Sequence, residues 1–308
     1  MAQRIALPPY FDDAQSPEAL RDKLGKLATG QERGVVAIAV FDDWNALTEV
    51  KPILQASGIQ LFGRVSTNKG AVERDVCAAF IDDWFRAHSD LDGIFVDEGP
   101  PIDARAPEQP EPDWVWDYYG DDSGEGIYGH IKRKNHDAKV FLNCPGCRDA
   151  AVFDVCDIAE VVEQDCANYV VKAWWTGAHT PWWTQPRPGK AVAHVVRSCP
   201  DEWSMRVAVG LSKARGAQYV YVYDDGSALH PDLPAYWNAE TAAVADTPTE
   251  PCQLIADVIP DITRAIDDLS ARIDHATSEE EALLIQEVAR LAEERAEVEV
   301  TLNECREG

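Results

Sequence analysis

The first part of the chain alternates short apolar runs with amphipathic segments. Eight runs have the length and apolar content of buried strands, over residues 5–8, 35–40, 60–66, 93–97, 139–143, 158–163, 191–196 and 218–223. Helical patterns lie between them, over residues 17–27, 45–56, 71–87, 126–134, 149–153, 166–171 and 201–214. Alternating strands and helices are typical of a parallel sheet. Eight units in about 240 residues favour an α/β fold closed into a (β/α)8 TIM barrel.

A doubly wound sheet is the main alternative, and it needs a glycine-rich first turn to hold a nucleotide. The first predicted strand instead runs into Pro8-Pro9-Tyr10-Phe11. The sequence therefore predicts a barrel, and it predicts no nucleotide cofactor.

The pattern changes after the segment 246–251, Asp-Thr-Pro-Thr-Glu-Pro. Apolar residues then recur at spacings of three and four, in one set from Ile259 to Ile273 and in a second from Leu284 to Leu302. Ser278-Glu279-Glu280-Glu281 between them is typical of a capping box that opens a helix. We expect a barrel over residues 1–246 and an antiparallel helical hairpin over residues 247–308. Its apolar seam must pack on the barrel flank or on another chain, so docking or homo-oligomerisation through 247–308 is one hypothesis.

Charge narrows the classes of partner. The sequence has 28 Lys and Arg against 54 Asp and Glu, a formal net charge of -26. Such a chain repels phosphate backbones and anionic membranes, so nucleic acid is excluded as the expected partner. The acidity has two interpretations: a solvated surface, or attraction for a cationic polymer such as a polysaccharide of free amino sugars.

The sequence gives no sign of a membrane span or a signal peptide. It has no run of about 18 apolar residues, and Met1 to Tyr10 contain no signal-peptide apolar region. We therefore expect no membrane insertion, and a protein that is cytoplasmic or carried on a particle such as a virion or a secretion machine. Cys144-Pro145-Gly146-Cys147 has the spacing of a redox pair or half a zinc site. No second half follows, so we expect a local disulfide or two thiols, and no metal.

Candidate catalytic carboxyl groups stand where predicted strands end. Asp97 and Glu98 close the fourth strand and Glu163 closes the sixth, at the barrel face where such enzymes keep their chemistry. Alternate strands share a layer of inward side chains, so Asp97 and Glu163 can converge. Neighbouring residues on a strand face opposite ways, so one member of the pair Asp97 and Glu98 is catalytic and the other supports it.

Other polar and aromatic residues lie at the same predicted rim. The candidates for substrate binding are Tyr10, Asp12, Asn68, Asn143, His194, Asp224, Trp174 and Trp175. The two tryptophans belong to a long loop over residues 173–189, and a second aromatic-rich loop covers residues 99–125. Exposed aromatic rings stack on the apolar faces of sugars, although they also serve to fix loops onto a barrel.

Five ordered segments carry a family resemblance: Ala6-Leu7-Pro8-Pro9-Tyr10, the residues 63–70 Gly-Arg-Val-Ser-Thr-Asn-Lys-Gly, the residues 92–98 Asp-Gly-Ile-Phe-Val-Asp-Glu, Leu142-Asn143-Cys144-Pro145-Gly146, and Val161-Val162-Glu163. In order and spacing they resemble the spherulin-4 family over about residues 5 to 237. The resemblance implies a (β/α)8 glycoside hydrolase acting on α-1,4-linked galactosamine or N-acetylgalactosamine polymers.

The resemblance also implies roles for individual residues. Asp97 matches the nucleophile, Glu98 its companion and Glu163 the acid/base. On chemical grounds, Asn68 and Asn143 are candidates to hold hydroxyl or acetamido groups of the substrate. Retention of configuration requires carboxyl groups roughly 5–5.5 Å apart. Two further hypotheses stay open: a non-catalytic carbohydrate-binding or particle-associated module mounted through residues 247–308, and an oxidoreductase using Cys144 and Cys147.

Overall fold

The structure is a computed structural model. It describes residues 3–7, 17–99, 118–120, 126–145, 150–171, 187–224, 233–246, helical residues between 256 and 273, and residues 278–307. Within these ranges no helix is long and apolar enough to cross a membrane.

Eight parallel strands close into one barrel, in the order in which they occur along the chain. Each strand pairs with its sequence neighbours, and the first pairs with the last. The closed parallel barrel confirms the predicted (β/α)8 architecture. The strands are β1 Arg4–Leu7, β2 Val36–Phe41, β3 Gln60–Ser66, β4 Gly93–Asp97, β5 Lys139–Asn143, β6 Ile158–Asp165, β7 Ala191–Arg197 and β8 Tyr219–Val222.

Helices surround the barrel. Most of them lie in the predicted crossovers, whereas the helix after the eighth strand, Trp237–Ala245, has no counterpart among the predicted helices. The helices are α1 Pro17–Glu32, α2 Trp44–Ala56, α3 Arg74–Ala87, α4 Ile127–Lys134, α5 Cys166–Val171, α6 Glu202–Ala214, α7 Trp237–Ala245 and α8 Ser278–Glu307. Two short 3-10 helices cover Asn68–Gly70 and Ala150–Asp154. Side-chain caps fix helix starts: the Asp43 carboxylate accepts from the backbone N–H of Asn45, and that of Asp201 accepts from Ser204.

Alternation along the strands separates two cores. Inward residues form a small apolar cluster around Phe62, Phe95, Phe141 and Ile158. The Phe95 and Phe141 rings meet edge to face with centroids 4.9 Å apart. Outward residues of the same strands join a larger core beneath the helices, the outer core. The inward cluster fills the barrel interior as an apolar plug. The catalytic groups of such a barrel lie above this plug, at the carboxyl ends of the strands.

The C-terminal segment is helical, as predicted. Helix α8 extends over Ser278–Glu307, and residues between 256 and 273 are helical where they are described. Leu291 is 8% exposed and joins the barrel's outer core, against which Ile259 and Ile266 also pack. These contacts place part of the apolar seam on the barrel flank.

The structure contains a disulfide that the sequence analysis did not predict. Cys166 and Cys199 are bonded across a separation of 33 residues. Cys166 directly follows Asp165 at the end of β6, and Cys199 lies two residues after Arg197 at the end of β7; Asp165 and Arg197 are register partners. The bridge therefore ties together two strand ends at the rim. Of the pair predicted to form a local disulfide or two thiols, Cys144 is buried and Cys147 lies outside the described residues.

Candidate functional site

Asp97 is the last residue of β4 and is held by an arginine from the neighbouring strand. The Arg64 Nε and Nη2 atoms each lie 2.6 Å from Asp97 Oδ2. The third guanidinium nitrogen, Nη1, reaches both carboxylate oxygens of Asp42, at 2.9 and 2.7 Å. Burial acts to lower the pKa of Arg64, but the two acidic partners outweigh it and raise that pKa overall. One guanidinium thus orients two carboxylates.

Glu98 leaves the strand in a left-handed turn, with φ at +50°. A residue other than glycine is strained in this region, so the contacts around it must hold it there. Its backbone N–H donates to Asp97 Oδ1 at 2.7 Å, and its carbonyl accepts from the Thr67 hydroxyl at 2.7 Å. Its carboxylate accepts a hydrogen bond from the Ser66 hydroxyl. Asp97 and Glu98 consequently have different surroundings, as strand alternation predicts: Asp97 continues the inward row of Phe95, and Glu98 belongs to the turn.

The sixth strand has a register irregularity between Glu160 and Val162, where its pairing with β7 shifts by one residue. A bulge of this kind puts two consecutive residues on the same side of a strand. Val161 and Val162 both join the outer core, each 2% exposed. Glu160 and Glu163 consequently both turn inward, whereas an unbroken strand would send them to opposite faces.

Asn143, the last residue of β5, joins these two acids. Its Nδ2 atom donates to Glu160 Oε1 at 2.9 Å and to Glu163 Oε2 at 3.3 Å. Asn143 itself is buried, with 8% of its surface exposed. The Asn143 amide therefore connects the more deeply buried carboxyl group, that of Glu160, to the more accessible one, that of Glu163.

Glu160 is the most deeply buried acid of this group. Burial raises its pKa well above the ordinary value, and the charges of Glu163 and Asp97 raise it further, while the hydrogen bond from Asn143 acts in the opposite direction. Glu160 therefore favours its protonated, neutral form more strongly than an exposed glutamate does. The charges of Asp97 on β4 and of Glu163 on β6 both act on Glu160.

The seventh and eighth strands complete the wall beside Glu163. Arg197 Nη1 lies 3.5 Å from Glu163 Oε1, and Arg197 Nε lies 3.5 Å from Asp165 Oδ1. Burial raises the pKa of Tyr223 well above its ordinary value, and Glu163 adds to this effect while Arg197 opposes it. Glu163 is 27% exposed at its side chain, so it remains accessible to solvent while it is positioned by Arg197 and Asn143.

The predicted site residues do not all gather here. Asp97, Asn143 and Glu163 share one region, and Glu98 adjoins it. Asn68 is exposed in the turn after β3, with φ at +43°. Asp224 follows β8 and accepts from the backbone N–H of Ala235 at 3.0 Å. Four predicted residues lie outside the described residues: Tyr10, Asp12, Trp174 and Trp175.

His194 lies in the middle of β7 and faces the helices. It is fully buried, and its Nδ1 atom lies 2.8 Å from the Tyr169 hydroxyl of α5. Burial, together with the charge of Arg215, lowers its pKa well below the ordinary value. The structure thus places His194 in the packing between barrel and helices, away from the carboxyl groups.

Sequence reasoning missed three members of the site: Arg64, Glu160 and the disulfide. Arg64 lies two residues before Ser66 on the inward row of β3, so strand alternation alone gave a usable signal. Glu160 had no such signal. Glu163, at the predicted end of the strand, was expected to face inward, and simple alternation then puts Glu160 on the opposite face. Across the parts of the chain that the structure describes, no group of three or more His, Cys, Asp or Glu side chains is arranged to hold a metal ion.

The chemistry available to this arrangement is that of paired carboxyl groups. Two acids are each contacted by an arginine, Asp97 by Arg64 and Glu163 by Arg197. A third acid, Glu160, is buried beneath them, and burial raises its pKa well above the ordinary value. A site with acids in such unlike environments can contribute a nucleophile or base and a proton donor at the same pH.

Comparison with known proteins supports the fold. The chain is similar to the crystal structure of Aspergillus clavatus Sph3 in complex with GalNAc, at a TM-score of 0.56 and 14% sequence identity, over 79% of this chain and 98% of that one. It is also similar to the GH2 beta-galacturonidase from Eisenbergiella tayi bound to galacturonate, at a TM-score of 0.54 and 8% identity. That match covers 80% of this chain and about half (52%) of the galacturonidase.

Sequence comparison gives the family. No curated protein sequence matches the chain significantly. The model of Spherulin4, spherulation-specific family 4, matches residues 38–244. This range contains β3 to β8, most of β2, and every carboxyl group of this site. Because the match covers more than half of the sequence, the chain belongs to spherulation-specific family 4.

Proposed function

We propose that the protein is a retaining, endo-acting glycoside hydrolase whose substrate is a polysaccharide that contains galactosamine or N-acetylgalactosamine. Asp97 is the nucleophile, Glu163 is the acid/base, and Glu98 supports Asp97. The observation that carries the proposal is that Glu163 of β6 shares the Asn143 amide with the buried acid Glu160, and that the charge of Asp97 of β4 also acts on Glu160, at the carboxyl end of the barrel.

In the first step, an Asp97 oxygen attacks the anomeric carbon while protonated Glu163 donates its proton to the departing glycosidic oxygen. The bond to the leaving sugar breaks and a glycosyl ester forms on Asp97. In the second step, ionised Glu163 takes a proton from water, whose oxygen attacks the anomeric carbon and releases Asp97. Two inversions give net retention.

The contacts of Asp97 suit this role. Arg64 and the backbone N–H of Glu98 each bind a different oxygen of the carboxylate. A carboxylate oxygen has two lone pairs, so Oδ1 has a second one beyond the hydrogen bond that it accepts from Glu98, whereas Oδ2 faces two nitrogens of Arg64. Fixed donors hold the nucleophile in one orientation before substrate arrives, which is where much of an enzyme's advantage in positioning comes from.

The substrate class rests on charge and on family membership. Family members resemble enzymes of galactosamine polymers, and Sph3 was crystallised with GalNAc. The rim itself carries Asp42, Glu98, Asp165 and Asp224 in addition to the reacting acids. A surplus of carboxylates favours a neutral or cationic sugar over a uronic acid polymer.

The test is release of oligosaccharides from galactosamine and N-acetylgalactosamine polymers by wild type, Asp97→Asn and Glu163→Gln. We expect losses of about 100-fold or more in each variant, because each removes a group that reacts. Matched controls are Asp137→Asn and Glu49→Gln, the same chemical changes at exposed positions. Product lengths distinguish internal from terminal cleavage, and NMR of the first anomer formed reports retention. Equal release by wild type and both site variants would overturn the proposal.

A further inference from the structure

We propose that Glu160 is a positioning residue of this site: its carboxyl group fixes the Asn143 amide, and through that amide it fixes Glu163. The catalytic role of the site rests on the proposed function. The contact between Glu160 and Asn143 is independent of that function and can be tested without an activity assay.

The position of Glu160 follows from the regular alternation of β6 before its bulge, because Glu160 lies two residues after the inward Ile158. Asn143 and Glu160 are register partners, one step above the partners Phe141 and Ile158. Those two residues belong to the apolar plug of the barrel. Glu160 therefore stands at the boundary where the plug ends and the polar rim begins, with 4% of its surface exposed.

The amide of Asn143 is fully specified by its two acidic neighbours. A primary amide has two N–H donors, and Nδ2 lies within hydrogen-bond distance of one oxygen of Glu160 and one of Glu163. With one hydrogen directed to each acid, rotation of the amide about its last side-chain bond would break both contacts. Without Glu160, only the hydrogen bond to Glu163 opposes this rotation, and at 3.3 Å it is the longer of the two.

The charges around Glu160 explain why it serves as an anchor and not as a second reactive acid. Asp97 of β4 and Glu163 of β6 act on Glu160 electrostatically, and an ionised Glu160 would act in turn on Tyr223, the residue directly after β8. Arg64 and Arg197 are bound by the two outer carboxylates. A third negative charge at the base of this group is unfavourable, which agrees with the raised pKa of Glu160. A neutral acid in this place supports Asn143 at every stage, including the stages at which Glu163 loses its proton.

This role predicts a specific pattern of variants. Glu160→Gln has nearly the shape of the neutral acid and keeps an oxygen to accept from Asn143, so it should retain oligosaccharide release within about 3-fold of wild type. Glu160→Ala should lower kcat by about 10- to 100-fold, because misplacing a reacting group by a fraction of an ångström to 1 Å has effects of this size. In an Asn143→Ala background, Glu160→Ala should add less than about 2-fold, since the amide through which it acts is gone.

Two results would overturn the inference. If Glu160→Gln is as inactive as Glu163→Gln, Glu160 transfers protons itself. If Glu160→Ala costs as much with Asn143→Ala as without it, Glu160 does not act through Asn143. A role confined to folding would lower kcat in both backgrounds alike and would not be rescued by glutamine.

An activity-free measurement separates this inference from the proposed function. The same four proteins, namely wild type, Glu160→Ala, Asn143→Ala and the double variant, are unfolded thermally at one pH. Coupled residues give a double variant less destabilised than the sum of the single variants. Coupling in a protein that releases no oligosaccharide would reject the hydrolase proposal and keep the contact. Additive losses would reject the contact, whatever the activity.

Discussion

Replacing Gly99 by alanine would test how closely two strand ends must approach to form the site, without changing any ionisable group. Gly99 follows the turn at Glu98, and its backbone N–H donates to the carbonyl of Asn143 at 3.0 Å. A Cβ atom built on Gly99 would lie 2.0 Å from that carbonyl oxygen, whereas ordinary contact begins at 3.4 Å. The two backbones would have to separate by about 1.4 Å, and both are parts of main chain that no rotamer change can move.

The size of the effect follows from what the displaced segments carry. One side holds Asp97 and Glu98, and the other holds the amide that contacts Glu163. A shift of about 1 Å between reacting groups lowers turnover by about 100-fold, and we expect a loss of that order in kcat/KM for oligosaccharide release. Overpacking of a tight contact costs about 1–3 kcal/mol, to be measured as the free energy of unfolding in urea.

Gly25→Ala is the matched control. Gly25 lies within α1 and a Cβ there would meet nothing within 4 Å. In a helix, alanine is favoured over glycine by about 0.5–1 kcal/mol, so this variant should be as active as wild type and slightly more stable. Wild-type activity and stability in Gly99→Ala would refute the reasoning, because it would mean that the ends of β4 and β5 are not held in contact as described.

Three further predictions concern stability. Replacing both Cys166 and Cys199 by serine should lower the free energy of unfolding in urea by about 3–4 kcal/mol, the chain-entropy value for a loop of 33 residues, and dithiothreitol should destabilise wild type but not the double variant. Arg64→Gln leaves two carboxylates without their shared cation; breaking a fully buried pair costs about 3–5 kcal/mol. Because these partners keep some exposure, we expect about 1–3 kcal/mol in the same assay, together with loss of oligosaccharide release. Glu240 is fully buried, and burial raises its pKa well above 4.5. The folded state keeps a proton that the unfolded chain releases, so the stability associated with Glu240 is complete below pH 4.5 and is lost as pH rises toward the folded pKa, at up to about 1.4 kcal/mol per pH unit. Glu240→Gln should therefore gain stability relative to wild type as pH increases over that window, and a difference independent of pH would contradict the assignment of a neutral acid.

The barrel was predictable because its strands are buried on both faces and its helices are not. Continuous apolar runs locate such strands, and the strand at Gly93–Asp97 matches the prediction residue for residue. Helix starts were less certain. The third helix was predicted from residue 71 but begins at Arg74. The residues before it form a 3-10 turn in which Asn68 and Lys69 have positive φ, a conformation that periodicity does not detect.

Pairing between distant segments was less accessible than the elements themselves. Cys166 and Cys199 each stand just beyond a strand end, but they become neighbours only through the register that joins Asp165 to Arg197. That register depends on the bulge earlier in β6. The sequence instead indicated Cys144 and Cys147 as the candidate pair, because two cysteines separated by two residues form a pattern that is visible without any knowledge of the fold.

The carboxyl group at the base of the site shows why alternation fails where it matters most for chemistry. Alternation along an unbroken β6 would put Glu160 and Glu163 on opposite faces, so a prediction that turns one of these acids inward turns the other outward. One extra residue in the strand reverses the parity beyond it, and both valines of the bulge then bury their side chains under the helices. That outward burial offsets the lost pairing, because apolar surface is removed from water on the side where the helices can receive it. The same bulge places Glu163 above Glu160, so that the buried Glu160 and the accessible Glu163 share the amide of Asn143. An insertion of this kind leaves the hydrophobic pattern of the strand intact, and only the register with β7 reveals it.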